Sequence, residues 1–211
     1  MSVPCLLLLV EATRHLLLAA FAHGYRCRVR LLSEMFFRLT GWVIEGNVPD
    51  EPKLVIIAYP HTSNWDLFVF FAIVGHFGLK VRFLAHEGLF VGPFAWLLHR
   101  WGAIPVQRGA GSAVATAIGL FDRSDSMLLV VAPEGTRAAG STWKSGFWRI
   151  ADAADVPVLM GFVDRDTKRM GFGPALKVDG DAEGWMEQAR VFYEDKRGLK
   201  PANRGPLELG T

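Results

Sequence analysis

The chain has 211 residues, enough for one domain of upper-middle size with or without a small appendage, and too few for two independent enzymatic domains. Hydrophobic residues make up 51% and charged residues 21%, which excludes a disordered chain and supports a large core. The 23 lysines and arginines against 21 acids leave a net charge of +2, too little to neutralise a run of nucleic-acid phosphates, so any basic function must be local.

Cys5 and Cys27 both lie in the N-terminal fifth. The main body therefore has no thiol for a disulfide framework, a metal site or cysteine catalysis, and a reducing compartment fits. The apolar stretch Cys5 to Ala22 is interrupted by Glu11, Arg14 and His15, which a helix would gather on one narrow face. Burying that face in hydrocarbon is costly, so the segment is expected as an amphipathic helix on a membrane or packed on the protein, not as a span. Ala20-Phe21-Ala22 resembles a signal cleavage site, but no Lys or Arg precedes the apolar run, and a signal peptide is rejected. Arg26, Arg28 and Arg30 follow, either as a contact for anionic headgroups or as a solvated arginine face. The expected division is a membrane-associating segment over 1–34 and one domain over 35–211.

From residue 40 short β-branched or aliphatic runs alternate with helical patterns. Strands are expected at Trp42 to Gly46, Leu54 to Tyr59, Val81 to Ala85, Ala103 to Val106, Met127 to Ala132, Val156 to Phe162 and Ala175 to Val178. Helices are expected at Asn64 to Phe77, Pro93 to Trp101, Ser112 to Arg123, Phe147 to Ala154 and Ala182 to Lys196, with Pro93 at a first helical position. Leu128 to Ala132 is apolar without alternation, as in a strand covered on both faces. The pattern predicts an α/β domain with a mixed, partly parallel sheet flanked by helices.

Chemistry is then expected at strand ends, where loops hold side chains against a rigid sheet. In Tyr59-Pro60-His61-Thr62-Ser63-Asn64-Trp65-Asp66 a strand runs into a helix. Ser63 suits a helix cap and Asp66 its capping-box partner, which alone explains both residues. An ionised Asp66 one turn from His61 also suits a dyad, holding one imidazole nitrogen and leaving the other as a base. The turn Pro133-Glu134-Gly135-Thr136-Arg137 puts an acid, a glycine, a hydroxyl and an arginine after the most apolar strand. It reads as a phosphate site or as turn chemistry with a surface ion pair. The third site, Gly102 to Arg108, is a short strand ending in Arg108, by itself an ordinary strand-end charge. Leu89, Phe90, Phe94, Trp96, Leu97 and Trp101 read as core more readily than as an apolar groove.

The order and spacing of these boxes resemble those of the glycerolipid acyltransferases, the 1-acylglycerol-3-phosphate (lysophosphatidic acid) acyltransferase family. The likeness rests on the His-x4-Asp box at His61 and Asp66, the Gly-x-Ile-x-Val-x-Arg box ending at Arg108, the Glu-Gly-Thr-Arg box from Glu134 to Arg137, and Val156-Pro157-Val158. It extends over roughly residues 40 to 200, including Lys144-Ser145-Gly146-Phe147 after the Glu-Gly-Thr-Arg box. Pro60, Pro105 and Met160-Gly161 depart from the commonest pattern of these boxes.

The resemblance implies a glycerol-3-phosphate acyltransferase-like fold and acyl transfer from acyl-CoA or acyl carrier protein to a hydroxyl of a lysophospholipid-type acceptor. It implies no metal, no cofactor and no covalent intermediate. His61 would act as general base with Asp66 behind it, and Arg108, Glu134, Gly135, Thr136 and Arg137 would hold the acceptor's phosphate or glycerol. Expected partners are the donor, a lysolipid and the cytoplasmic face of a membrane, with no nucleic acid. A non-catalytic lipid- or CoA-binding protein and an acyltransferase for a phosphate-free acceptor are the alternatives. A metal hydrolase would need a third ligand beside His61 and Asp66.

Overall fold

The computed structural model describes residues 29–63, 65–107, 110–136 and 140–210. The expected helix over Cys5 to Ala22 and the arginines Arg26 and Arg28 lie outside them. Residues 29–40 form helix α1, which runs through the expected boundary between residues 34 and 35.

At the centre stands β2 (Lys53–Tyr59), a run of Leu, Val and Ile buried on both faces. It pairs in parallel with β5 (Met127–Val131) on one side and β7 (Val158–Asp164) on the other. Beyond β5 come β3 (Val81–His86) and the edge strand β4 (Ala103–Val106), all parallel. Beyond β7 come β8 (Arg169–Leu176), antiparallel to it, and β1 (Val43–Glu45). The order β1-β8-β7-β2-β5-β3-β4 is the mixed, partly parallel sheet expected. A two-stranded sheet of β6 (Trp143–Lys144) and β9 (Leu209–Gly210) lies apart from it.

Right-handed crossovers decide which face each helix covers. The chain moves one way along the sheet through α2 (Asp66–Phe77) to β3 and through α3 (Gly92–Arg100) to β4. It then returns through α4 (Ala110–Asp122) to β5 and through α5 (Gly146–Ala153) to β7. Hence α2 and α3 share one face with α1, and α4 and α5 share the other with α6 (Ala182–Tyr193). Two cores follow. Phe37, Val69 and Ile73 pack on Leu54, Ile56 and Leu159, while Phe121, Phe147, Ile150, Trp185 and Tyr193 pack on Val55, Ile57 and Met160. Alternate residues of β2 thus serve opposite cores.

The expected elements stand with ends shifted by a residue or two, except that α6 stops at Tyr193, three residues short, and except at the C-terminal side of the sheet. There β8 begins at Arg169 and overlaps the expected strand only at Ala175 and Leu176. Its Arg-Met-Gly-Phe-Gly-Pro run breaks the alternation that marks a strand, because Gly171 has φ +146° beside β1. Pro105 is tolerated because β4 is an edge strand that pairs only with β3.

Candidate active site

β2 and β5 are neighbours whose continuing chains leave for opposite faces, so their carboxyl ends form a topological switch point. The box after β2 and the box after β5 meet there. Past the cis peptide before Pro60 the chain turns at His61, Thr62 and Ser63 before α2 starts at Asp66. Asp66 is buried, and its Oδ2 accepts the N–H groups of Thr62 and Ser63, each at 2.8 Å. The same oxygen lies 3.0 Å from Nδ1 of the half-buried His61. The bond to Ser63 is one arm of the expected capping box; Ser63 Oγ instead accepts from Trp65 N–H, two residues on, at 3.2 Å. Capping and dyad geometry are therefore satisfied by one carboxylate oxygen. Asp66 Oδ1 has no hydrogen-bond partner among the described residues.

Glu134 lies beneath this turn and is 1% exposed. Its Oε2 accepts the His61 N–H at 2.9 Å and its Oε1 accepts the Gly205 N–H at 3.2 Å. Burial pushes its carboxyl above the ordinary range against the pull of these two bonds. Both oxygens of this buried acid are engaged by main-chain donors, which makes Glu134 a support beneath the His61 turn. Gly135, at φ +64°, and Thr136 are exposed on the turn that follows. The Lys144 side chain lies across Gly135, so that a Cβ there would come within 2.9 Å of Nζ. Arg108 and Arg137 lie outside the described residues.

Sequence reading missed the strap that seats the His61 turn. Thr62 Oγ1 accepts from Lys200 N–H at 3.0 Å, and Asn203 Nδ2 donates to the Thr62 carbonyl at 3.0 Å. Tyr59, at the end of β2, donates its hydroxyl to the Gly205 carbonyl at 2.9 Å while its ring packs edge-on against Trp143 and Tyr193. Burial pushes the Tyr59 phenol up to about 12, so it stays a donor at any physiological pH. Only the strap's Pro-Ala-Asn and Arg-Gly-Pro turns marked it in the sequence, and such turns carry no chemical signature.

The suggested core role of the aromatic group on η1 (Glu87–Leu89) and α3 fails for half its members. Leu89, Phe94 and Trp96 are exposed, while Phe90, Leu97 and Trp101 are partly covered. Among the described residues no group of three or more His, Cys, Asp or Glu is gathered as a metal site. None of their helices is long and apolar enough to cross a membrane.

Residues 41–160 match the acyltransferase family model, more than half of the chain, and the protein belongs to that family. Among solved structures the fold is similar to that of the 1-acyl-sn-glycerophosphate (LPA) acyltransferase PlsC from Thermotoga maritima. The TM-score is 0.59 at 19% sequence identity, over 84% of this chain and 79% of that one. Among curated proteins there is no match.

Proposed function

We propose that the protein transfers a fatty acyl group from a thioester, acyl-CoA or acyl carrier protein, to a hydroxyl of a lysophosphatidic acid-like acceptor at a membrane's cytoplasmic face. The observation that carries this reading is the Asp66 Oδ2 atom, pinned by two backbone N–H groups and held 3.0 Å from His61 Nδ1. With Nδ1 so engaged, Nε2 is the nitrogen that takes the acceptor's proton. The alkoxide oxygen attacks the thioester carbonyl, Asp66 stabilises the imidazolium, and collapse of the tetrahedral species breaks the C–S bond. The imidazolium returns the proton to the departing thiolate, so the step balances with no metal and no acyl-enzyme. A base so placed contributes about 10²–10⁴-fold, and alignment and oxyanion donors supply the rest. Arg108 and Arg137, with Gly135 and Thr136, are assigned to the acceptor's phosphate, where a guanidinium fork matches the oxygens.

The test is incubation with long-chain acyl-CoA or acyl carrier protein and a panel of lysolipids, some without phosphate, read by mass spectrometry. Acylated lysophosphatidic acid as the main product is the expected result. A phosphate-free product would overturn the headgroup assignment, and no product with any pair would leave the lipid-binding alternative.

A further inference from the structure

All the exposed large hydrophobics among the described residues except Val43 and Val191 lie on α1, at the start of α2, or on the η1–α3 segment. They share one face of the sheet. Trp65 and Phe68 form a ring pair 5.1 Å apart directly beside the dyad. Leu89, Val91, Phe94 and Trp96, the last 70% exposed, follow the end of β3. Because β2 and β3 are parallel, both groups emerge at the carboxyl edge that carries His61. The layer is continuous, since Phe71 of α2 contacts Trp101 at the end of α3, and Phe37 of α1 contacts His76 of α2.

Charge divides the molecule the same way. The carboxylates of this layer are Glu34 and Asp66, each facing a histidine, His76 and His61, and Glu87 on η1, against the three arginines Arg30, Arg38 and Arg100. The opposite layer, α4–α6, carries Asp122, Asp152, Glu183 and Glu187 against Arg149 and Arg190. An apolar, arginine-bearing face opposite an acidic one suits an anionic lipid surface.

We propose that the catalytic domain itself docks on anionic lipid through the apolar rim of Trp65, Phe68, Leu89, Val91, Phe94 and Trp96. This contact is separate from any made by residues 1–28, and it brings a lipid-borne acceptor to the dyad without leaving the interface. The proposal rests on the acyltransferase reading only for that last consequence.

The test is flotation of the full chain with phosphatidylcholine vesicles, with and without phosphatidylglycerol, alongside a V91S/W96S variant, a separate L89Q variant and a far-face V191S control. Losing two interfacial anchors should lower the vesicle-bound fraction about tenfold, with a smaller drop for L89Q and none for V191S. Turnover of a short-chain, water-soluble acceptor should stay at the parent level while turnover of a vesicle-borne acceptor falls. Equal flotation of V91S/W96S and parent overturns the proposal. So does an equal fall in V191S, or complete loss of flotation on deleting residues 1–28. If no acceptor turns over, the acyltransferase reading fails while flotation still judges the surface.

Discussion

The Glu134 carboxylate accepts the backbone N–H of His61 at 2.9 Å, joining two boxes 73 residues apart through a bond from main chain to side chain. The acid of the Glu-Gly-Thr-Arg turn therefore sets the height of His61. The carboxyl group offers an acceptor oxygen to each of the two N–H groups that Glu134 serves. E134Q turns one acceptor into a donor facing an N–H, and should cost about 1–3 kcal/mol in denaturant unfolding. Its kcat should fall more than its acceptor KM rises, because the base moves while the phosphate donors do not. A pure rise in acceptor KM would return Glu134 to the binding site.

Two buried acids should pull the stability curve in opposite directions. Burial lifts Glu134 above its ordinary 4.5. Its favourable contribution is complete below that value and declines as pH rises through the raised one. At Asp164, burial also pushes the pKa up but is outweighed by hydrogen bonds from the Thr167 hydroxyl and the Thr167 and Arg197 N–H groups, leaving it below its ordinary 3.8. Its contribution is present above 3.8 and lost as pH falls through the depressed value. Unfolding midpoints followed from acid to neutral pH should show a shallower acid arm in D164N and a shallower decline above pH 4.5 in E134Q. An unchanged acid arm in D164N would remove Asp164 from the account.

D66N tests charge with the geometry held. All three contacts to Asp66 fall on Oδ2, and an amide oxygen can take its place with the NH2 group where Oδ1 lacks a described partner. The variant should fold with a nearly unchanged melting point, yet lose about 10²–10⁴-fold in kcat, as should H61A. A fully active D66N would reduce Asp66 to a cap.

For the acceptor site, R108A and R137A should each raise the acceptor KM about 10- to 150-fold, with little change for the donor, as loss of one charge-assisted contact of about 1.5–3 kcal/mol implies. A donor-selective defect would reverse the assignment of roles.

A chain started at Met35, at the expected boundary, would cut α1. Ser33 donates to the Val29 carbonyl at 3.0 Å, and Glu34 Oε1 lies 2.8 Å from His76 on α2. Removal of residues 1–28 should preserve the melting point and the turnover of a soluble acceptor, whereas removal of 1–34 should lower the melting point. Equal melting curves would show that the first half of α1 contributes nothing.

How much of this was legible follows from the range of each signal. The central strands are unbroken aliphatic runs, α3, α5 and α6 have clear periodicity, and α2 and α4 are apolar runs too long for strands, so local pattern located them. The His61–Asp66 pair was legible because one helical turn joins it. Glu134's burial was not, since the same Pro-Glu-Gly-Thr turn suits a surface ion pair, and only the adjacency of β2 and β5 carries it under His61. β6 and β9, two residues each, have no period at all. Met160-Gly161 became intelligible only in the sheet. A Cβ at Gly161 would come within 2.6 Å of the Ile57 carbonyl, and its own carbonyl accepts the Tyr193 hydroxyl.

The strap gives the site an order of assembly. Its bonds to Thr62 and Tyr59 span 138 to 146 residues of chain, so the dyad leaves the ribosome long before the segment that seats it. Loops of that span close late, after local elements have formed. A growing chain would therefore carry His61 and Asp66 on an unsupported turn, and competence would arrive with Lys200 to Gly205 rather than with the strands around the dyad.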